Sequence, residues 1–381
     1  MRMVRVDWIV DEMELARDIP SATLGAAPLL RRGVRLSSAL AARLGSLGVR
    51  AVWIEDDMGE GIIPAQPLPE HVRTATEEAV GSCLDAAKSV AADLSSLPGR
   101  AFEQIEHAAD ALIEALADCP EAALAFDDLA SADSYTYSHS VRVATLGLLL
   151  GQRMDRVDGW VDYRGERRYD RMVERMTQLT MGLLIHDIGK ISIPETILNK
   201  PGKLTPEEWD LIKTHPMAGA SMLSSDRISP LTRCIVRDHH ERWDGEGYPA
   251  GRQGTEIHQF ARIAAVADVY DAITADRPYQ PATAPHVGVR VVREGAGSQF
   301  DARIVDHFLR IAMPYPVGYT ITLPDGRSGA IAGVDAEEPE YPVIRYREDS
   351  GAMVETAMHV VDGQVVTGQA PAALSPAQTS A

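Results

Sequence analysis

Cysteine is scarce: three residues in 381, at Cys83, Cys119 and Cys234, with no CxxC spacing. A disulfide framework and a zinc ribbon are therefore not suggested. No apolar run approaches the roughly 18 residues that a membrane span needs. No charged stretch followed by an apolar one opens the chain, so neither a span nor a secretory signal is expected and the cytoplasm is the default location. Basic residues are in deficit, 37 Lys+Arg against 55 Asp+Glu for a net charge of −18. This argues against a large nucleic acid or an anionic membrane as the main partner. A small anionic substrate would need a local cluster of Arg, Lys or metal ions. No Walker A loop, dinucleotide fingerprint or Ser-His-Asp arrangement is present.

What is present is an ordinary globular composition, 45% hydrophobic and 24% charged, long enough for two to three domains. The reading is a mainly α protein, an all-helical bundle flanked by a small N-terminal α+β module and a small C-terminal β-barrel-like domain. Residues 1–66 form the accessory module. Val4 to Val10 alternates at period two and predicts a strand, Ser37-Ser38 caps a helix running through Leu47, and Val49 to Ile54 predicts a second strand. A Pro-rich linker at 63–69 closes it. Residues 67–134 are a helical lead-in, with Ile105, Ala108, Ala109, Leu112 and Leu116 on one face. That face either packs on the next domain or pairs subunits into a homodimer. Residues 135–312 are helical throughout. Residues 313–368 read as about five short strands, and 369–381 has the composition of a disordered tail. The terminal modules are also where protein partners would dock.

The helical middle carries ionisable residues where periodicity expects core. His186-Asp187 follows Met181-Gly182-Leu183-Leu184-Ile185, with Lys190 three residues on. His139 shares an apolar helix face with Val143, Leu146 and Leu150. Thr205-Pro206-Glu207-Glu208 is a capping box, and Pro216 makes His215 a helix end or kink. His239-His240 ends a helix begun at Ser229-Pro230; on a helix, adjacent side chains diverge by about 100°, so the pair would reach two neighbouring ions, or an ion and a substrate, but not one ion from one face. Asp268 and Asp271 sit at i and i+3 in an almost wholly apolar helix, where two carboxylates repel unless cations match them. Singly, each histidine also fits a bland role, as a satisfied core side chain or a solvated helix end. Together, imidazole and carboxylate without thiolate suit iron, manganese or zinc rather than calcium or magnesium. The number of donors exceeds one tetrahedral site. Two ions about 3.5–4 Å apart, bridged by a carboxylate, suit phosphoester hydrolysis by a metal-bound hydroxide.

These residues carry a resemblance. His186-Asp187-Ile188-Gly189-Lys190, then His239-His240-Glu241 running into Asp244-Gly245-Glu246-Gly247-Tyr248-Pro249, is similar to the HD-GYP family of cyclic di-GMP phosphodiesterases, within the HD metal-dependent phosphohydrolase superfamily. Ala267-Asp268-Val269-Tyr270-Asp271-Ala272 and Arg277-Pro278-Tyr279 follow in the family's order, so the resemblance spans roughly 135–310. It implies that His139, His186, Asp187, His215, His239, His240 and Asp268 ligate two non-haem iron ions, or manganese or another divalent metal, with Asp187 the bridge. It also implies catalytic roles for Asp187 and Lys190; His240 or a nearby group is expected to protonate the leaving 3′-oxygen. Gly247-Tyr248-Pro249 and Arg277 would hold substrate, and Asp271 would orient a ligand or Lys190. The implied reaction is hydrolysis of cyclic di-GMP to linear pGpG and on to GMP. The rivals are a receptor or protein-interaction module without turnover, and a phosphodiesterase for another cyclic dinucleotide. Two departures stand out. Tyr135 occupies a position where some members have the glutamate of a three-metal site, and Gln280 replaces a basic residue. The charged stretch 152–171 reads as a lid or a surface excursion.

Overall fold

The computed structural model describes residues 1–19, 21, 27–64, 68–90, 99–117, 135–161, 166–200, 202–223, 228–275, 283–335 and 337–366. The chain opens with β1 (Arg2–Arg5), a 3-10 turn over Val6–Trp8, β2 (Glu14–Leu15), α1 (Ser38–Ser46) and β3 (Ala51–Glu55). The strands form an antiparallel sheet in the order β1-β3-β2. Its buried core includes Val4, Leu15, Ile19, Leu36, Leu44, Val52 and Ile54. Ser37 caps α1 as expected, its hydroxyl accepting from the Leu40 amide. The first strand is shorter than its alternation predicts. After Arg5 the chain turns, and Trp8 and Val10 lie exposed, so period-two patterning there has no sheet face to cover.

Next come α2 (Glu70–Val90) and α3 (Gly99–Leu116). The predicted face of α3 is buried from Ile105 to Leu116, and it is covered within the chain, by α2 on one side and by the helices that follow on the other. Those are α4 (Tyr135–Val157) and, after a two-stranded ladder of β4 (Trp160–Val161) and β5 (Arg167–Arg168), α5 (Met172–Leu184). The described part of the charged stretch packs on Phe260 and His258 through Trp160, with ring centroids 5.0 and 5.5 Å apart.

Short helices follow: α6 (Glu195–Leu198), α7 (Pro206–Ile212), α8 (His215–Met222) and α9 (Pro230–Asp238). The Thr205–Glu208 capping box forms as read, with both reciprocal bonds present. Then α10 (Gln259–Thr274) runs through the centre, with α11 (Pro285–Glu294) and α12 (Ala302–Phe308) against it. Trp160 sits at the start of α10, whereas Asp268 is roughly 15 Å further along the axis at 1.5 Å per residue.

The C-terminal domain differs from the barrel expected. Four strands, β6 (Thr320–Thr322), β7 (Ser328–Gly333), β8 (Val343–Arg347) and β9 (Met353–Ala357), form an open antiparallel meander in chain order. A separate ladder joins β10 (His359–Val361) to β11 (Gln364–Val366). Among the described residues no ladder joins β9 back to β6, so the sheet does not close. One face covers a small core of Tyr315, Ile321, Leu323, Ile331, Ile344 and Val360. This sheet is tied to the N-terminal module: the Met3 amide donates to the Gly318 carbonyl at 2.7 Å, and Arg345 and Arg347 reach back to Glu60 and Asp57.

Leu112, fully buried where α3 meets the bundle, provides a stability test. Leu112→Ala should cost about 2–5 kcal/mol, read as a lowered urea midpoint of the helical circular dichroism signal.

Candidate metal centre

The site is assembled from helix ends. α5 stops at Leu184, and Ile185 caps it. His186 and Asp187 therefore lie at the start of a reversal that continues as a 3-10 turn over Ile188–Ser192. Gly189 lets that turn press on α8: a Cβ there would stand 1.9 Å from the His215 carbonyl oxygen. This contact holds His215, the first residue of α8, beside Asp187. His139 enters from α4, and Asp268 and Asp271 from α10.

The two oxygens of Asp187 face different partners. Oδ1 lies 3.3 Å from His215 Nε2 and 3.7 Å from His239 Nε2. Oδ2 lies 3.6 Å from His139 Nε2, 3.5 Å from His186 Nε2 and 2.5 Å from Lys190 Nζ. The donors fall into two groups that share Asp187: His139 with His186, and His215 with His239 and His240. Asp268 spans them, 3.4 Å from His139 and 3.9 Å from His240.

The far side of four of these imidazoles is committed. Nδ1 of His186 donates to the Leu183 carbonyl and Nδ1 of His215 to the Ile212 carbonyl, each at 2.7 Å. Nδ1 of His239 donates to the Val236 carbonyl at 3.0 Å, and Nδ1 of His139 to Asp271 at 2.7 Å. With Nδ1 carrying the proton, Nε2 of His186, His215 and His239 presents a lone pair inward; on His139 the carboxylates of Asp187, Asp268 and Asp271 favour a second proton, which a metal would displace. The Nε2 atoms approach one another at 3.3 Å (His139–His186) and 3.4 Å (His215–His239). Lone pairs so placed, around an Asp187 Oδ1 that is buried and receives no hydrogen bond, call for a cation. The donor set fits divalent metal.

The adjacent histidines depart from expectation. α9 ends at Asp238, so His239 and His240 are not on a helix, and the divergence of about 100° does not apply. Their ring centroids are 4.1 Å apart, and both offer a nitrogen to the same group. His240 also lies against Tyr248, at 4.7 Å between ring centroids, and Trp209 stands 6.3 Å beyond that ring. Gly247 has no room for a side chain, since a Cβ would stand 2.3 Å from the Arg242 amide. The Tyr248-Pro249 bond is cis. Arg277, with Pro278, Tyr279 and Gln280, lies outside the described residues; Tyr135 is the first residue of α4.

Among known proteins, the HD domain family model matches residues 144–304. A cyclic di-GMP phosphodiesterase of Pseudomonas aeruginosa is 34% identical over 360 residues, covering 88% of this chain and 83% of that protein. The chain belongs to the HD-domain family of cyclic di-GMP phosphodiesterases. Other relatives align over less. A response regulator with that activity in its name, from Xanthomonas campestris, is 42% identical over 36% of this chain and 37% of its own length. A 3′3′-cGAMP-specific phosphodiesterase of Vibrio cholerae is 39% identical over 33% of this chain and 24% of its own length.

In this HD-domain phosphodiesterase the electrostatics follow from burial. Burial pushes the His186 imidazole down to about 4, and it drives His240 well below its ordinary range, helped by His239. His139 is also buried, but Asp187, Asp268 and Asp271 outweigh that and raise it well above its usual value. Burial alone would raise the Asp187 carboxyl; Lys190 and the surrounding imidazoles hold it well below the usual carboxylate range.

Two supporting residues had no assigned role in the sequence reading. Arg142, one turn beyond His139 on α4, donates from Nε to Asp271 at 2.5 Å and so fixes the carboxylate that fixes His139. Its i+3 spacing from His139 was a readable signal. Glu241 is buried, and its carboxylate accepts from the Ala250 and Arg252 amides at 2.7 and 3.0 Å, pinning the loop that carries Tyr248.

Two outcomes follow for this metalloenzyme. Asp271→Ala should weaken metal binding about 10–100-fold, measured by chelator competition. Metal must displace the proton that the carboxylates favour on His139, so loading at neutral pH should release protons. Titration calorimetry in buffers of different ionisation enthalpy reads this directly.

Proposed function

We propose that this chain hydrolyses cyclic di-GMP to linear pGpG, and in a second cut to GMP, at a dinuclear centre of two iron ions, with manganese or another divalent metal as substitutes. The observation that carries the reading is the division of Asp187: one oxygen turned to His139 and His186, the other to His215 and His239. A carboxylate shared in this way suits a bridge between two ions. His139, His186, His215, His239, His240 and Asp268 would complete the ligand set. When bound, the ions would supply positive charge to a phosphate oxygen and acidify a water.

The chain's own groups would do the rest. Lys190, partly exposed and held by Asp187, would meet the scissile phosphate and offset its developing charge. Tyr248, between His240 and Trp209, would bear on a base, with Gly247 and Pro249 shaping that wall. His240 or a nearby group would hand a proton to the leaving 3′-oxygen. Arg277 would hold a phosphate. In this reading 135–312 is the catalytic domain, 1–66, 67–134 and 313–368 are accessory segments, and 369–381 is a tail. No helix of the described residues is long and apolar enough to cross a membrane, which accords with a cytoplasmic site of action.

Three Vibrio cholerae relatives named as 3′3′-cGAMP-specific phosphodiesterases favour a second reading, 3′3′-cGAMP as substrate. Initial rates on the two dinucleotides, measured side by side, separate the readings. Anaerobically purified, iron-loaded protein should release linear product from cyclic di-GMP, faster than from 3′3′-cGAMP. Asp187→Ala should abolish turnover and metal together, whereas Lys190→Ala should lower kcat about 10²–10³-fold with metal retained. Binding of cyclic di-GMP without any product would instead make the protein a receptor.

A further inference from the structure

Against the Arg142–Asp271 pair that supports His139 lies a cavity of about 780 Å³. Its walls come from three parts of the chain: the N-terminal module, the start of the C-terminal sheet at Tyr319 and Thr320, and the inner surface of α10 and α4. The volume falls within the range of about 300–1,000 Å³ typical of small-molecule sites. Along α1 the wall is built from Ala41, Ala42 and Gly45, and a Cβ on Gly45 would meet nothing nearer than Val6 Cγ1 at 3.7 Å. Small residues therefore keep this space open, with Val6, Ile9 and Trp8 as its apolar lining. The charges at its edge are mostly matched: Arg5 is bidentate to Asp7, and Arg142 pairs with Asp271. Arg50 is the exception, with no ion-pair or side-chain hydrogen-bond partner among the described residues.

We propose that this cavity binds a small organic anion with an apolar body, its charge at Arg50, and that occupancy is felt at the metal centre. The route is short. The cavity floor includes Arg142 and Asp271, the pair whose carboxylate holds His139 in position. A ligand resting there bears on the orientation of a metal-facing imidazole without touching the metal. The N-terminal module thereby acquires a sensing role, since the bonds of Met3 to Gly318 and Thr320 tie it to the C-terminal sheet at the cavity wall. The coupling, though not the binding, rests on the metal centre proposed above.

The probe is 8-anilinonaphthalene-1-sulfonate, an aromatic anion, titrated by fluorescence into the full-length chain with and without bound metal. Saturable binding is expected. Gly45→Leu, which fills the space while favouring the helix, should raise the dissociation constant at least about tenfold, and Arg50→Ala, on the exposed rim, should raise it severalfold. Metal loading should shift probe affinity, and by linkage the probe should shift metal affinity by the same factor, about fivefold or more. Probe binding unchanged in both variants would overturn the site, and equal probe affinity in apo and metal-loaded protein would overturn the coupling. A chain that binds the probe in a metal-linked way yet cleaves no cyclic dinucleotide would support this site and contradict only the activity proposed above.

Discussion

A carboxylate buried among imidazoles sets the terms for the rest of this molecule. Asp187 is 7% exposed, and one of its oxygens receives no hydrogen bond. Removing such a charge from water costs several kcal/mol, which only well-placed opposite charge offsets. His186, His215 and His239 cannot supply it while their Nδ1 protons point outward to carbonyls, because their inward faces are then lone pairs. Lys190 supplies part of it at one oxygen. The remainder is what a divalent cation provides, and the surrounding helices hold the donors ready for it.

That requirement explains why helix ends, rather than helix middles, converge on the site. His186 and Asp187 follow the end of α5, His215 begins α8, and His239 and His240 follow α9. Ends leave backbone carbonyls unpaired, and those carbonyls at Leu183, Ile212 and Val236 accept the imidazole protons. One device satisfies the helix termini and sets the tautomers. The exceptions, His139 and the two aspartates, come from helix interiors on α4 and α10. There the missing carbonyl is replaced by the Arg142–Asp271 pair.

The clustering was legible because ionisable residues broke apolar periodicity. Asp268 and Asp271 in α10 could not be read as a solvated face, and His139 lay on the stripe of Val143, Leu146 and Leu150. Local pattern failed where the outcome depends on how chains end or pair. The point at which α9 stops decides whether His239 and His240 diverge or cooperate, and no residue between Ser229 and Glu241 marks it. Closure of the C-terminal sheet depends on whether β9 meets β6, a long-range pairing that alternation cannot encode. At the N-terminus, alternation continued past Arg5 although the sheet did not. Arg142 lacked a role because its meaning depends on Asp271, far along the chain.

In this reading Asp187 would join two ions. The most direct measurement is iron content with Mössbauer spectroscopy on anaerobically loaded protein, wild type beside Asp187→Asn. Two irons per chain are expected in the wild type, magnetically coupled through a shared ligand, with coupling lost and occupancy lowered in the variant. A single iron per chain, or two uncoupled irons unaffected by Asp187→Asn, would contradict it.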